Sequence, residues 1–438
     1  AIVVAALGVV GTVLLVRRLP AGLDGLRRRC PWRSVAWLLL VLLALGQTAR
    51  MSTFLLDPTR TACSLVPSDP WYLEHSCLTA YVESSRMAQE SEPNIYAPER
   101  YVGRKLAGFN VDLYHYPPPF LLLPTAAEVL TGHDYLKTRA LWFSLSALTF
   151  LLAARFDDPG RLRAIATGPV LWLSVPVQMG LQMSNVQILI VSVSVLAWVA
   201  FARQKALGGA LLALAIASKI FPGFLGIYLL ARRRWREAIW TTVFGGVLTV
   251  LALASFGAAP FVAFLGFELP RLSSGEAFSR PLSRSFAVGQ NMAPFGVPLK
   301  LAKVGVPGMT FAVGRAVSTV FMLGLVALAL AAGRRKEARS PDEEASIWMA
   351  ILCLGTLVSP FAPANYVLVT VVWLACLERR IRLSRLAAIW FFTSVPFLLP
   401  REGDFAIRTL AFLPAQVIAI GLPAWVLWRG ARNRAVEA

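Results

Sequence analysis

The sequence predicts an all-α, polytopic integral membrane protein, and composition is the first reason. Of its 438 residues, 57% are hydrophobic and only 15% are charged, and the mean hydropathy is +0.62. Soluble domains have about 45–50% apolar and about 25% charged residues. The second reason is that the apolar residues gather in runs, which short basic clusters separate. Together these observations favour a bundle of membrane helices over a soluble fold.

The apolar runs define the predicted helices. A helix that crosses a bilayer needs about 20 apolar residues, with a lower limit of about 17. Six runs reach or approach that length: 164–181, 186–202, 238–256, 317–332, 345–359 and 409–428. Three shorter runs need their flanking residues to complete a crossing: 34–49, 140–154 and 386–400. We therefore expect one membrane domain over 1–438 with 12 to 14 membrane helices. Since 1–16 has neither an initiator Met nor a cleavage site after it, the natural N-terminus is left open.

Basic clusters set the predicted orientation. Seven clusters account for much of the net charge of +19: 17–33, 155–163, 203–205, 232–236, 334–339, 379–385 and 429–434. They lie in turns between spans rather than in one patch, so we expect no nucleic-acid partner. If all seven are cytoplasmic, an even number of crossings separates neighbours. Then 117–130 must be re-entrant or interfacial, and 206–231 is a hairpin that breaks at 219–222.

Five polar motifs fall on the opposite side of the membrane in this threading. They are HYPPPF (115–120), QMSNVQ (182–187), ASKIFPG (217–223), GQNMAP (289–294) and SPFAPANY (359–366). Two outer loops, 57–115 and 257–307, accompany them. Within the first loop, helical spacing over 71–86 predicts an amphipathic helix along the membrane surface. A chain that gathers its polar residues at one face of a bilayer is expected to build a site there.

Lys219 is the most informative of these polar residues. An ammonium between two apolar half-helices costs several kcal/mol unless it is paired or hydrated. One interpretation is that the side chain snorkels to the interface. The other is that it meets a phosphate, because the nearby Pro222 frees backbone groups. Gln182 and Asn185 leave a similar choice, since amides also form hydrogen bonds between helices.

Cysteine positions predict a disulfide and no metal site. Cys63 and Cys77 share the outer loop, where an oxidising environment permits a bridge. Cys353 and Cys376 lie in apolar runs and are expected in the core. No cysteine has metal-ligand spacing with a histidine, so neither a metal nor another cofactor is expected. The three histidines are His75, His115 and His133.

The ordered motifs resemble a known family. NIY (94–96), YPPP (116–119), QMSNVQ, ASKIFPG, RRRWR (232–236), GQN (289–291) and SPFAPANY resemble the polyprenyl-phosphate-mannose-dependent mannosyltransferases, bacterial membrane enzymes of the GT-C superclass. The resemblance covers roughly residues 65–380. It implies a GT-C-like bundle in the bacterial plasma membrane. Such an enzyme moves a sugar, mostly mannose, from a polyprenyl-phosphate donor to a lipid or envelope-glycan acceptor on the outer face.

The resemblance also implies a carboxylate base in the first outer loop, and here the chain departs from the pattern. No carboxylate stands near Leu78, where the family places its aspartate. We expect Glu74 as the base, with His75 and Asp69 as the other candidates, in an inverting, metal-independent displacement. The expected donor-binding residues are Lys219, Gln182, Asn185, Gln290, Asn291, Tyr116, Asn365 and Tyr366.

Two other functions fit parts of the pattern. A lipid transporter or flippase also buries polar residues, but it would line a path to the cytoplasmic face, where Arg315 is one of few polar residues. A non-catalytic protein of envelope assembly would not need the carboxylates of 57–115. Substitution of those carboxylates separates this third hypothesis from an enzyme.

Overall fold

The computed structural model describes residues 31–155, 168–335, 337, 339–378, 380–399 and 404–432, with side chains from residue 38 onward except at residue 155. The N-terminal segment 1–16 and most of the basic cluster 17–33 lie outside these ranges. The described chain is 75% helical with almost no strands, which confirms the predicted fold class. Its paired strands, Lys105–Leu106 and Phe109–Asn110, form an antiparallel hairpin. Ala107 and Gly108 close that hairpin with positive φ angles of 49° and 89°, as a two-residue turn requires.

The chain divides into two compact units. The first contains the part up to Glu90, Ala97–Tyr114 and Leu121–Val193. The second contains Ser91–Tyr96, His115–Phe120 and everything from Ser194 onward. Two short excursions therefore carry the NIY and HYPPPF motifs into the second unit.

The first unit combines two long helices with several short ones. Its α-helices are Pro31–Leu56, Pro70–Glu74, Leu78–Gln89, Leu122–Leu130, Tyr135–Arg155 and Val175–Gln182, and its 3-10 helices are Thr61–Cys63 and Pro98–Arg100. The fully buried Arg139 joins them. Its guanidinium donates to the carbonyls of Leu55 and Gln182 at 3.4 and 3.2 Å, and lies over the Phe54 and Phe109 rings.

The second unit holds most of the apolar helices. Its α-helices are Lys205–Ser218, Gly223–Ala231, Trp235–Phe256, Ala259–Ala263, Leu269–Ser274, Ser279–Ser283, Ser285–Gly289, Gly296–Lys303, Phe311–Arg334, Pro341–Thr356, Ala364–Leu377, Leu383–Ser394 and Phe405–Ala431. A π-helical turn covers Phe264–Glu268, and 3-10 turns cover Glu276–Phe278 and Val395–Leu398. The elements Pro118–Leu121 and Gln187–Phe201 continue from one unit into the other.

Close helix packing in the second unit depends on Gly209. A Cβ at this position would lie 2.5 Å from Trp240 Cβ and 2.8 Å from the Thr241 nitrogen. The helices Lys205–Ser218 and Trp235–Phe256 therefore approach at a point that only glycine allows. In contrast, the helices Pro341–Thr356 and Ala364–Leu377 are buried along most of their length.

Among the residues that the structure describes, four helices are long and apolar enough to cross a membrane: Leu38–Leu56, Trp235–Phe256, Phe311–Arg334 and Phe405–Ala431. A fifth crossing is possible if Val175–Gln182 and Gln187–Phe201, which bend by 111°, count as one span. Exposed apolar side chains cover these helices, for example Leu43, Val250, Val320 and Leu410. Lipid tails can solvate such surfaces, which water would not tolerate at this extent.

The number of helices in the described residues that are long enough to cross a membrane, four or five, is smaller than the 12 to 14 membrane helices predicted. Polar motifs interrupt the apolar runs, so several helices stay short, as Pro118–Leu130, Lys205–Ser218, Ala364–Leu377 and Leu383–Leu398 do. The shortness of Pro118–Leu130 agrees with the expectation that 117–130 does not cross fully. The predicted hairpin break after residue 218 is confirmed, because one helix ends at Ser218 and the next begins at Gly223.

Two expectations about the first outer loop were wrong. The helix predicted over 71–86 is two helices that break at 75–77, and the second is buried within the protein at ten of its twelve positions. Cys63 and Cys77 are free thiols, so the predicted disulfide is absent. Cys77 is buried, and its sulfur instead accepts a hydrogen bond from Asn185 Nδ2 at 3.2 Å.

Candidate functional site

Lys219 lies at the break between two apolar helices of the second unit. The helix Lys205–Ser218 ends there, because Lys219 takes an extended conformation with φ −152° and ψ 141°. Pro222 prevents the helix from resuming at once, since proline has no N–H and restricts the backbone conformation of the residue before it. The chain thus presents an ammonium at a gap in the helical backbone.

Two tyrosine rings flank this ammonium. Lys219 Nζ lies 4.6 Å from the centre of the Tyr366 ring and 5.7 Å from that of Tyr116. Both distances are within the range of cation–π attraction, which holds a cation without neutralising its charge. Lys219 and Tyr366 are half-buried, and Tyr116 is buried. The structure therefore brings together three of the predicted donor-binding residues, from three different motifs.

Asn291 positions the motif SPFAPANY, which contains Tyr366. Its Nδ2 donates to the Pro360 carbonyl at 3.0 Å, while its Oδ1 accepts from the backbone N–H groups of Ala362 and Ala293 at 3.0 and 3.1 Å. These bonds fasten GQNMAP to SPFAPANY just before the helix that carries Tyr366. The side chain of Asn291 therefore orders the site by holding backbone. Its neighbour Gln290 is buried, as is Asn365.

A second polar centre of the same unit joins His115 to Glu268. His115 Nδ1 lies 2.6 Å from Glu268 Oε1, and Arg271 donates to the other carboxylate oxygen at 3.2 Å. Glu268 is fully buried, whereas His115 keeps 22% of its side chain exposed. The carboxylate thus anchors one ring nitrogen, and Nε2 is the nitrogen left for chemistry.

The π-helical turn Phe264–Glu268 sets the position of this carboxylate. Pro270 follows in the first turn of the next helix, and its missing N–H removes one regular helical hydrogen bond. Such single π turns are frequent at functional sites. The turn also brings Phe264 to the ring of Tyr96 at 5.7 Å, and the Tyr96 hydroxyl donates to the Tyr116 carbonyl at 2.9 Å.

Sequence reasoning did not single out Glu268 or Arg271. The signal was present, since FELPR places a carboxylate in an apolar stretch three residues before an arginine. Its partner His115 stands 153 residues away, so no local pattern could connect them.

In the first unit, the side-chain amides of Gln182 and Asn185, both predicted to bind the donor, form hydrogen bonds with other groups of the protein. Gln182 Nε2 donates to Ser64 Oγ and to the Tyr72 carbonyl at 3.0 and 2.9 Å, and its Oε1 accepts from the Leu65 N–H at 2.6 Å. Asn185 donates to Cys77 and accepts from the Gln187 N–H. These contacts tie the 57–77 segment to the helix end, so a role of either amide in donor binding stays a prediction.

Two of the three predicted bases, Asp69 and Glu74, make contacts that stabilise the local structure. Asp69 accepts from the Trp71 N–H at 2.9 Å as the N-cap of the helix Pro70–Glu74. Glu74 is 45% exposed and pairs with Lys105 at 2.9 Å. The hydrogen bond and charge of Lys105 hold the pKa of Glu74 below its ordinary value, which makes this carboxylate a weaker base.

His75, the third candidate, lies in a cluster. Its Nδ1 is 3.4 Å from Asp112 Oδ1, and its Nε2 is 3.6 Å from Cys77 Sγ. The Trp71 ring stacks on the imidazole at 4.4 Å. We expected no metal-ligand group from sequence spacing, yet these three side chains offer donor atoms within 4.8 Å of one another. Asp112 was missed because it follows the hairpin strand, far along the chain from His75.

Comparison with models of protein families gives a match. The family model described as Glycosyltransferase family 87 matches residues 114–360, more than half of the 438 residues. The matched range includes His115, Tyr116, Lys219, Glu268 and Asn291. No curated protein and no solved structure matches the chain.

Proposed function

The chain belongs to glycosyltransferase family 87 and is a membrane glycosyltransferase; on that premise we propose that it transfers mannose from a polyprenyl-phosphate donor. The acceptor is a lipid or envelope glycan, and the reaction takes place at the outer face of the bacterial plasma membrane. The motif order described above supports the donor class, since it resembles that of mannosyltransferases that use polyprenyl-phospho-mannose.

One observation supports the proposal most directly: the neighbouring residues His115 and Tyr116 contact two different polar centres. Tyr116 flanks Lys219, and His115, the residue before it, is bonded to Glu268. Neighbouring Cα atoms are about 3.8 Å apart, so both centres belong to one small region of the second unit. A positive group for a phosphate and a proton acceptor for a hydroxyl are the two parts that glycosyl transfer needs.

The reaction follows from these parts. The acceptor hydroxyl oxygen attacks the anomeric carbon of the sugar while the bond from that carbon to the phosphate oxygen breaks. The bonding electrons leave with the phosphate, whose negative charge Lys219 stabilises. His115 Nε2 takes the hydroxyl proton, and Glu268 stabilises the imidazolium that forms. Direct displacement inverts the anomeric configuration.

Arg271 keeps Glu268 suited to this role. Glu268 is fully buried, and a buried carboxylate needs hydrogen-bond partners for its oxygens. Arg271 pairs with one oxygen of Glu268 and also with Glu276 at 3.3 Å. The other oxygen is then free to accept from His115 Nδ1–H, which fixes the tautomer with a basic Nε2.

The test is sugar transfer by purified protein from radiolabelled polyprenyl-phospho-mannose, with polyprenyl-phospho-glucose and a nucleotide sugar as competing donors. His115→Gln and Glu268→Gln should lower kcat by about 10²–10⁴-fold with little change in KM. The exposed His133 provides the matched control, His133→Gln.

The competing assignment is the sequence-based one, in which His75, Glu74 or Asp69 is the base. Full turnover in His115→Gln together with loss in His75→Ala would refute our assignment of the base. Use of nucleotide sugars, with no transfer from either lipid donor, would refute the donor class. Vectorial lipid movement without any new glycosidic bond would instead favour the transporter hypothesis.

A further inference from the structure

The cluster of His75, Cys77 and Asp112 in the first unit has no part in the chemistry proposed above. His75 closes the helix Pro70–Glu74, and Cys77 is the residue before the helix Leu78–Gln89. An isolated β-bridge pairs the backbones of His75 and Asn110, and the Asp112 N–H donates to Thr79 Oγ1 at 3.1 Å. Backbone contacts therefore hold all three side chains at the helix break.

We propose that these three residues bind a divalent transition-metal ion of the zinc type. Thiolate and imidazole ligands favour such ions over magnesium or calcium. Two charged ligands, Cys77 and Asp112, balance the charge of a divalent ion. Three protein ligands leave the fourth tetrahedral position to water or another oxygen ligand.

The distances fit this ion. With metal–sulfur and metal–nitrogen bonds of about 2.3 and 2.0–2.1 Å, two ligand atoms of a tetrahedral site are about 3.6 Å apart. His75 Nε2 and Cys77 Sγ are 3.6 Å apart. The full set of donor atoms spans up to 4.8 Å, so binding draws the Asp112 carboxylate inward.

The surroundings orient the ligands. Asn185 Nδ2 donates to the Cys77 sulfur, which fixes the direction of this side chain. Trp71 fixes the plane of the His75 ring by stacking. Cys77 is buried, but the side chains of His75 and Asp112 are 15% and 30% exposed, so an ion reaches the cluster from their side.

Cobalt binding tests the proposal, because Co²⁺ can occupy zinc sites and a bond from Co²⁺ to a thiolate gives a charge-transfer absorption band. The full-length protein in detergent is stripped with a chelator and titrated with Co²⁺, then with Zn²⁺. We expect one Co²⁺ per chain with a thiolate band that Zn²⁺ abolishes. The band should be absent in Cys77→Ser and unchanged in Cys63→Ser, the control in the same loop. In Asp112→Asn, which removes a proposed ligand, Co²⁺ affinity should fall by more than the roughly 10–100-fold that loss of an outer-shell partner costs.

Equal Co²⁺ spectra in the wild type and Cys77→Ser, or alkylation of Cys77 at the same rate with and without Zn²⁺, would overturn the proposal. If Cys77→Ser fails to elute as folded protein, His75→Gln and Asp112→Asn decide in its place. The readout is metal binding, so it succeeds or fails independently of sugar transfer.

Discussion

Replacing Lys219 by methionine keeps the length and apolar stem of the side chain and removes its charge. A hydrogen bond to a charged group contributes about 1.5–3 kcal/mol, and 1.4 kcal/mol corresponds to a factor of ten. We therefore expect kcat/KM for the polyprenyl-phosphate donor to fall by about 10- to 150-fold, with a loss in kcat as well as in KM, because the negative charge that Lys219 stabilises grows as the donor bond breaks. Loss of the attraction to Tyr366 and Tyr116 should cost about 1–2 kcal/mol of stability.

The assay is initial-rate kinetics over a range of donor concentrations, with thermal unfolding measured on the same preparations. Lys219→Arg keeps the charge and should recover part of the loss. Lys303→Met is the control, because Lys303 is an exposed lysine of the same unit whose Nζ contacts the Ser283 carbonyl at 3.4 Å. If Lys219→Met stays within twofold of the wild type in kcat/KM, the side chain only snorkels and the phosphate role is refuted.

Two further predictions concern stability. Gly209→Val should separate its helix from Trp240 and destabilise the protein by about 1–3 kcal/mol or more, whereas Gly245→Ala, with no atom within 4 Å of its added Cβ, should be neutral or stabilising; equal melting temperatures would contradict the close approach. Because Lys105 lowers the pKa of Glu74 in the folded state, their pair stabilises above the ordinary carboxyl pKa and this stability is lost on acidification. Glu74→Gln should therefore lower Tm slightly at neutral pH and leave it unchanged at acid pH, and a Tm difference that persists in acid would contradict this sign.

Local sequence rules succeeded where a few neighbouring residues decide the outcome. The break at Lys219 follows from Pro222 and from the shortness of the two apolar runs, and both are visible in the sequence. The prediction of one surface helix over 71–86 was wrong, although the helical spacing that it used is real. Spacing within a segment does not show which other parts of the chain pack against it. Contacts at His75 and Cys77 interrupt it, and the part that remains helical is buried in protein.

The sequence by itself determined that this chain is a helical membrane protein with polar motifs between apolar runs, because hydrophobicity acts residue by residue. The order of those motifs also predicted a membrane glycosyltransferase, which the family match confirms, whereas the use of polyprenyl-phospho-mannose stays a prediction. Only the tertiary structure decided which polar groups meet: Glu268 with His115, Tyr366 with Lys219, and Asp112 with His75. Buried polar groups require partners, but any of several can satisfy that requirement. The choice depends on how distant helices pack, which local patterns do not encode.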